Sequence, residues 1–138
     1  MAASWALIVH DHKILLTQRS SRTSRPDQWC LPGGGIKKDE SAATACLREA
    51  LEETGLSIRV CNLIEPIEDT HYFLCELVSA PQEVKLQITE CQDAVWVEPS
   101  QILSVGMIMD SKRLILVLDT AGLETPVISD EKCNGDTL

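Results

Sequence analysis

The sequence has no C-x-x-C pair, no internal repeat, no low-complexity segment and little positive charge. Twelve Lys and Arg residues face 21 Asp and Glu, a formal net charge of -9. Nucleic acid and anionic membranes attract proteins through clustered Lys and Arg, so this balance excludes a general role at either surface. An anionic ligand would need a local device that overcomes the overall repulsion. The six cysteines are scattered, several of them inside apolar runs such as RVCNLI and YFLCELV, where a small hydrophobe serves. Zinc sites need closer ligand pairing than this. The stretch MAASWALIVHDH has no basic leader region, and its apolar run is too short for a signal peptide or a membrane span. A reducing, cytoplasmic compartment is the expectation.

What is present suits one domain, at 138 residues and 44% hydrophobic content. WALIV and KILLT, with HDH between them, read as a hairpin. QRSSRTSRPDQW reads as a loop and PGGG, residues 32–35, as a turn. Residues 41–54 form an alanine-rich helix that Gly55 stops. LSIRVCNLI, HYFLCELV, KLQIT and AVWVE read as strands. Pro99 opens a short helix, PSQILSV, and residues 110–119 form a last helix whose apolar block also fits a strand. The pattern predicts an α/β domain over residues 1–124, a mixed sheet with helices on its faces, and a polar tail over 125–138.

REALEETG, residues 48–55, gathers Glu49, Glu52 and Glu53 on one helix. Like charges at this spacing cost an isolated helix about 0.2–0.5 kcal/mol per pair, so helix stability does not account for them. With Glu49 at zero on the helical wheel, Glu53 falls at about +40° and Glu52 at about −60°. Ala43, Leu47 and Leu51 fall at about 120°, 160° and 200°. That spacing predicts an apolar stripe docked on the sheet and glutamates facing away from the core. Arg48 lies four residues before Glu52, close enough to hold a carboxylate. Oxygen-only ligands suit a hard divalent cation, Mg²⁺ or Mn²⁺, rather than zinc. The glycines just upstream allow close approach of backbone to a ligand. They are not a Walker loop, since no G-K-[ST] follows, nor a dinucleotide fingerprint, since Lys38 stands where a third glycine is needed.

The segment GGIKKDESAATACLREALEETGL, Gly34 to Leu56, resembles the signature of the Nudix hydrolases. Gly34, Glu40, Arg48, Glu49, Glu52, Glu53 and Gly55 fill its fixed positions, with Ala50 and Leu56 at aliphatic ones. The resemblance implies an α/β/α sandwich around a mixed sheet and Mg²⁺-dependent attack of water on a pyrophosphate, with Mn²⁺ as a substitute. It implies that Glu49, Glu52, Glu53 and the Gly33 carbonyl hold cations while Arg48 and Glu40 brace loop and helix. Glu90, six residues before Trp96, matches a loop glutamate of the family, for cation binding or as general base, a role the family assigns variably to this glutamate or to the helix glutamates; Glu83 and Glu98 are its competitors.

Around the box, Arg19 and Arg25 are candidates to hold distal phosphates, against the alternative of a solvated basic loop. Gly34 is a candidate for backbone contact with substrate. Tyr72 sits 17 residues after Gly55, where dinucleoside polyphosphate hydrolases of the family carry a tyrosine. Trp29 is expected to pack behind the glycines, and His10, His12 and His71 to be structural. The expected substrate is a small nucleotide: a nucleoside triphosphate, as for MutT-like proteins, or another nucleoside diphosphate derivative. Dinucleoside polyphosphates, coenzyme A and a non-catalytic nucleotide sensor are the alternatives, with a homodimer left open.

Overall fold

Alternation of side chains along two adjacent strands builds both faces of the sheet. In the computed structural model, which describes residues 2–127, β1 (Ala3–His10) and β2 (Lys13–Arg19) form the expected hairpin, pairing Val9 with Ile14 and His10 with Lys13. Asp11 and His12 both take positive φ, 51° and 65°, as a tight two-residue hairpin loop requires. Ala6, Ile8 and Leu15 bury on one face; Leu7, Ile14 and Leu16 bury on the other. Each large apolar side chain so enclosed contributes about 1.5–3 kcal/mol relative to exposure.

Around this hairpin a seven-stranded mixed sheet assembles along the path β3-β2-β1-β6-β5. Here β3 is Trp29–Cys30, β4 Gly33–Gly35, β5 Ile58–Ile67, β6 Thr70–Leu77 and β7 Cys91–Val97. β6 runs parallel to β1 from Ala3 and Thr70 to Ile8 and Cys75, and β5 lies antiparallel to β6. β4 pairs with the start of β1, and β7 pairs along β2. Helix α1 (Ala42–Thr54) covers one face through Cys46 and Ala50, packed with Ile8, Leu15, Ile58 and Phe73. Helix α2 (Ser111–Thr120) covers the other through Leu114, Val117 and Leu118, packed with Leu7, Ile14 and Leu16. Burial at i, i+3 and i+4 shows why the apolar block before Asp119 is helix rather than strand.

PSQILSV forms the expected short helix, of 3₁₀ type, over Pro99–Ser104. Three expectations change. PGGG is not a free turn, because Gly33–Gly35 pairs as a strand with Ala3–Trp5. KLQIT forms no strand. Its Lys85 and Gln87 amides donate to the carbonyls of Thr54 and Glu53 at 2.7 and 2.9 Å, satisfying groups that the end of α1 leaves without helical partners. The third concerns the orientation of α1. Its buried residues are Ala45, Cys46, Ala50, Glu53 and Thr54, while Leu47 and Leu51 are 37% and 53% exposed. Small side chains let the helix approach the sheet closely, and that face carries Glu53 inward. Of the predicted stripe, Ala43 packs against this core, while Leu47 and Leu51 stand outside the docking face. The tail expected from residue 125 lies mostly outside the described residues.

Candidate active site

α1 is fixed at both ends. Ser41 caps its start, accepting from the Thr44 amide at 3.1 Å. Gly55 ends it at φ 74°, a left-handed conformation that glycine adopts without steric cost. Ser4 of β1 donates to the Ala42 carbonyl at 2.7 Å, tying the helix to the strand beside the glycines. Helix and glycine strand are thereby held against each other.

Into that junction runs Glu53, only 7% exposed. Its Oε1 accepts from the Gly33 amide at 3.2 Å and lies 4.0 Å from the Cys91 thiol. Burial, against the pull of the Gly33 hydrogen bond and with the charges of Glu49 and Glu90, pushes the Glu53 carboxyl up to about 9. Glu49 meets Gly34 so closely that a Cβ there would stand 2.7 Å from its carboxylate. Glycine is the residue that leaves this space open.

Arg48 organises the outer side. It forms a bidentate pair with Glu40, Nε to Oε2 at 2.7 Å and Nη2 to Oε1 at 3.0 Å. It also donates to Glu49, Glu52 and the Gly35 carbonyl at 3.2, 3.2 and 3.1 Å. With the Lys37 amide adding a hydrogen bond, Arg48 holds the Glu40 carboxyl down at about 2. The guanidinium, in return, is kept firmly protonated. One arginine thus joins the glycine strand, the following loop and the helix.

The structure brings Gly33, Gly34, Glu49, Glu53, Glu90 and Arg19 to one cleft of about 310 Å³. Arg19, the last residue of β2, is tied to the loop that follows, donating to the Ser24 carbonyl and hydroxyl at 2.8 and 3.2 Å. Glu52 does not line the cleft; it is half-exposed and turned onto Arg48. Nor do Tyr72 and Arg25 line it. Tyr72 lines a second cavity of about 140 Å³, with Trp5, Leu114, Asp110 and Arg113. Burial pushes its phenol up, opposed by the Arg113 guanidinium beside it. Arg25 pairs with Asp110 at 2.9 Å. Trp29 is buried with the α2 core, and Gly106 passes against its indole. His71 stacks on Phe73.

Sequence reasoning missed Trp5, Asp110 and Arg113, because each sits in an ordinary strand or helix start and only folding brings them together. It also missed Cys30 and Cys91, which border the glutamate cleft. Their placement on strands flanking Thr17 of β2 has no signal in local sequence.

Among the described residues, no three His, Cys, Asp or Glu side chains converge as a ready-made cation cage. The donor set nevertheless fits a hard divalent cation. Three carboxylates share the cleft, and mutual repulsion helps suppress ionisation of the buried one. A cation supplies the charge that this set lacks, and oxygen donors favour Mg²⁺ or Mn²⁺. Among the described residues no helix is long and apolar enough to cross a membrane.

A mixed sheet between helices, with a carboxylate-lined cleft where a glycine strand meets α1, is the α/β/α sandwich of the Nudix hydrolases. Residues 1–117 match the family model of the NUDIX domain, and the chain belongs to that family. It is 28% identical to the m7GpppN-mRNA hydrolase NUDT17 of Danio rerio over 75% of this chain, and spans 43% of that relative's length. It is 28% identical to the nucleoside triphosphatase NudI of Escherichia coli, over 79% of this chain and 89% of the relative. Among solved structures, a NUDIX hydrolase from Nitrosomonas europaea superposes with a TM-score of 0.71 at 25% identity, covering 91% of this chain and 92% of the other.

Proposed function

We propose that the chain is a Mg²⁺-dependent pyrophosphohydrolase of nucleoside triphosphates or other nucleoside diphosphate derivatives. The observation that carries this reading is the buried Glu53, tethered to the Gly33 amide with Glu49 and Glu90 in the same cleft. Glu49, Glu52, Glu53 and the Gly33 carbonyl would hold the cation. Bound there, Mg²⁺ neutralises the phosphates and acidifies water. Glu90, on the loop across the cleft, receives the proton of the attacking water. The new bond joins water oxygen to phosphorus, and the anhydride P–O bond breaks with its oxygen leaving on the departing phosphate. Arg48 positions Glu49 and the glycine strand, and Glu40 fixes Arg48 in turn. No covalent nucleophile is needed, because phosphoryl transfer relies on positioning and charge stabilisation. The adjoining cavity of Trp5 and Tyr72 takes the nucleoside.

The test is a hydrolysis screen across triphosphates, oxidised nucleotides, nucleotide sugars, dinucleoside polyphosphates and coenzyme A, with Mg²⁺ or Mn²⁺ and product identification. Release of phosphate, pyrophosphate or a nucleoside monophosphate by wild type, absent in Glu53→Gln, is the expected result. Tight nucleotide binding with no turnover at either metal would instead make the chain a sensor.

A further inference from the structure

Three cavities run in series across the surface. The glutamate cleft shares Ala3, Trp5 and Cys30 with the Tyr72 cavity. The Tyr72 cavity shares Asp110 and Arg113 with a third, more open one of about 670 Å³. The chemistry changes along the series. The first is acidic, the second is mostly apolar with a phenol and an indole, and the third carries Arg25, Lys112 and Arg113 against the single carboxylate of Asp110.

On a chain of net charge -9, this third cavity is a local reversal of sign. Asp110 is already matched to Arg25 at 2.9 Å. Lys112 and Arg113 make no ion pair among the described residues. Lys112 is exposed and Arg113 half-buried beside the Tyr72 hydroxyl, at the border between the second and third cavities. Two uncompensated cations therefore stand at the far side of the nucleoside cavity from the glutamates. A ligand seated across the series has a diphosphate at one end, ribose and base in the middle cavity and a second anion that branches toward the border with the third.

We propose that Lys112 and Arg113, with Arg25 beside them, hold a phosphate monoester on the ribose of the substrate nucleoside. The inference rests on the hydrolase reading for the location of the diphosphate, and it narrows the substrate to small nucleoside diphosphate derivatives carrying a 2′- or 3′-phosphate. A plain nucleoside triphosphate or nucleotide sugar leaves these cations unmatched. A nucleic acid strand meets the acidic remainder of the surface, which favours a compact ligand.

The test is calorimetric titration of the full chain, in Mg²⁺, with probes that have no anhydride to cleave. These are adenosine 5′-monophosphate, adenosine 3′,5′-bisphosphate and α,β-methylene-ADP, repeated with the guanosine series. The bisphosphate is expected to bind about tenfold more tightly than the monophosphate, as a charge-assisted phosphate contact provides. The methylene diphosphate carries its extra charge at the other end, so its affinity should be unchanged in the variants that follow. Lys112→Glu and Arg113→Gln should each reduce the tenfold advantage to less than about threefold. Lys112 is exposed, so its variant tests the contact without disturbing the core. Failure of the bisphosphate to exceed the monophosphate in both base series, or an advantage that persists in both variants, overturns the proposal. Tighter binding of the dinucleotide pApA than of the bisphosphate would also overturn it, by moving the ligand to an RNA end. Because the readout is binding, a chain that takes the bisphosphate and hydrolyses nothing upholds the subsite and refutes the hydrolase reading. A hydrolase indifferent to the ribose phosphate does the reverse.

Discussion

Glu53 Oε1 accepts a hydrogen bond from the Gly33 amide at 3.2 Å, so the most deeply buried carboxylate of the cleft is anchored to the strand that forms its rim. Glu53→Gln preserves an acceptor at that distance and removes the ability to ionise. The fold should persist, with thermal stability in EDTA equal to or above wild type. Turnover should fall at least about a hundredfold, as for loss of a group that sets metal affinity. Steady-state rates and thermal melts on the same samples check both halves.

The same carboxyl makes metal-free stability depend on pH. Its folded value is pushed up to about 9 from an ordinary 4.5, so between these values the fold binds a proton that the unfolded chain releases. The stabilisation is fully present below pH 4.5 and is lost as pH rises through about 9. Melting temperature in EDTA should decline across this window more steeply for wild type than for Glu53→Gln. Cation binding near neutral pH should release a proton, seen as a dependence of the titration heat on buffer ionisation enthalpy.

Arg48→Lys keeps a positive charge but cannot serve Glu40 bidentately while also reaching Glu49, Glu52 and the Gly35 carbonyl. Activity and Mn²⁺ affinity should both drop by about 10–100-fold, the usual cost of losing a group that orients metal ligands. Recovery of much of the rate at high Mn²⁺ would be expected, and a rate unchanged at low Mn²⁺ would refute the positioning role.

Gly34→Ala places a methyl 2.7 Å from the Glu49 carboxylate. The obstructed atoms are the end of a flexible side chain, so stability should change by less than about 1 kcal/mol while the carboxylate is displaced. The expected signature is a near-native melt with a loss of kcat, readable by comparing denaturant midpoints with turnover.

The orientation of α1 can be tested apart from catalysis. Leu51→Gln alters an exposed side chain and should change stability by no more than about 0.5 kcal/mol. Ala50→Leu overfills a fully buried position against the sheet and should cost about 1–3 kcal/mol. The opposite ranking in urea melts would restore the leucine stripe as the docking face.

That stripe shows where reading residues in order stops working. A helical wheel weights hydrophobicity, and Leu47 and Leu51 outweigh Ala45, Cys46 and Ala50 on that scale. Close approach of helix to sheet rewards small side chains instead, and the inward face brings Glu53 with it. KLQIT failed as a strand for a related reason: its backbone answers the unpaired carbonyls of α1, a demand set by a distant segment. The hairpin of β1 and β2, the cap at Ser41 and the stop at Gly55 were legible because each is decided by neighbours in sequence.

The sequence by itself determined the family, the oxygen-rich donor set and the start and end of the helix that carries it, since spacing along one helix and the residue types within it are local properties. Only the tertiary structure decided that Glu53 is buried while Glu52 faces Arg48, that Glu90 lines one cleft with Glu49 and Glu53, and that Tyr72 and Arg25 belong to neighbouring cavities. Burial and electrostatic coupling depend on which distant segments meet, and that is fixed when the sheet forms and the helices settle on its two faces.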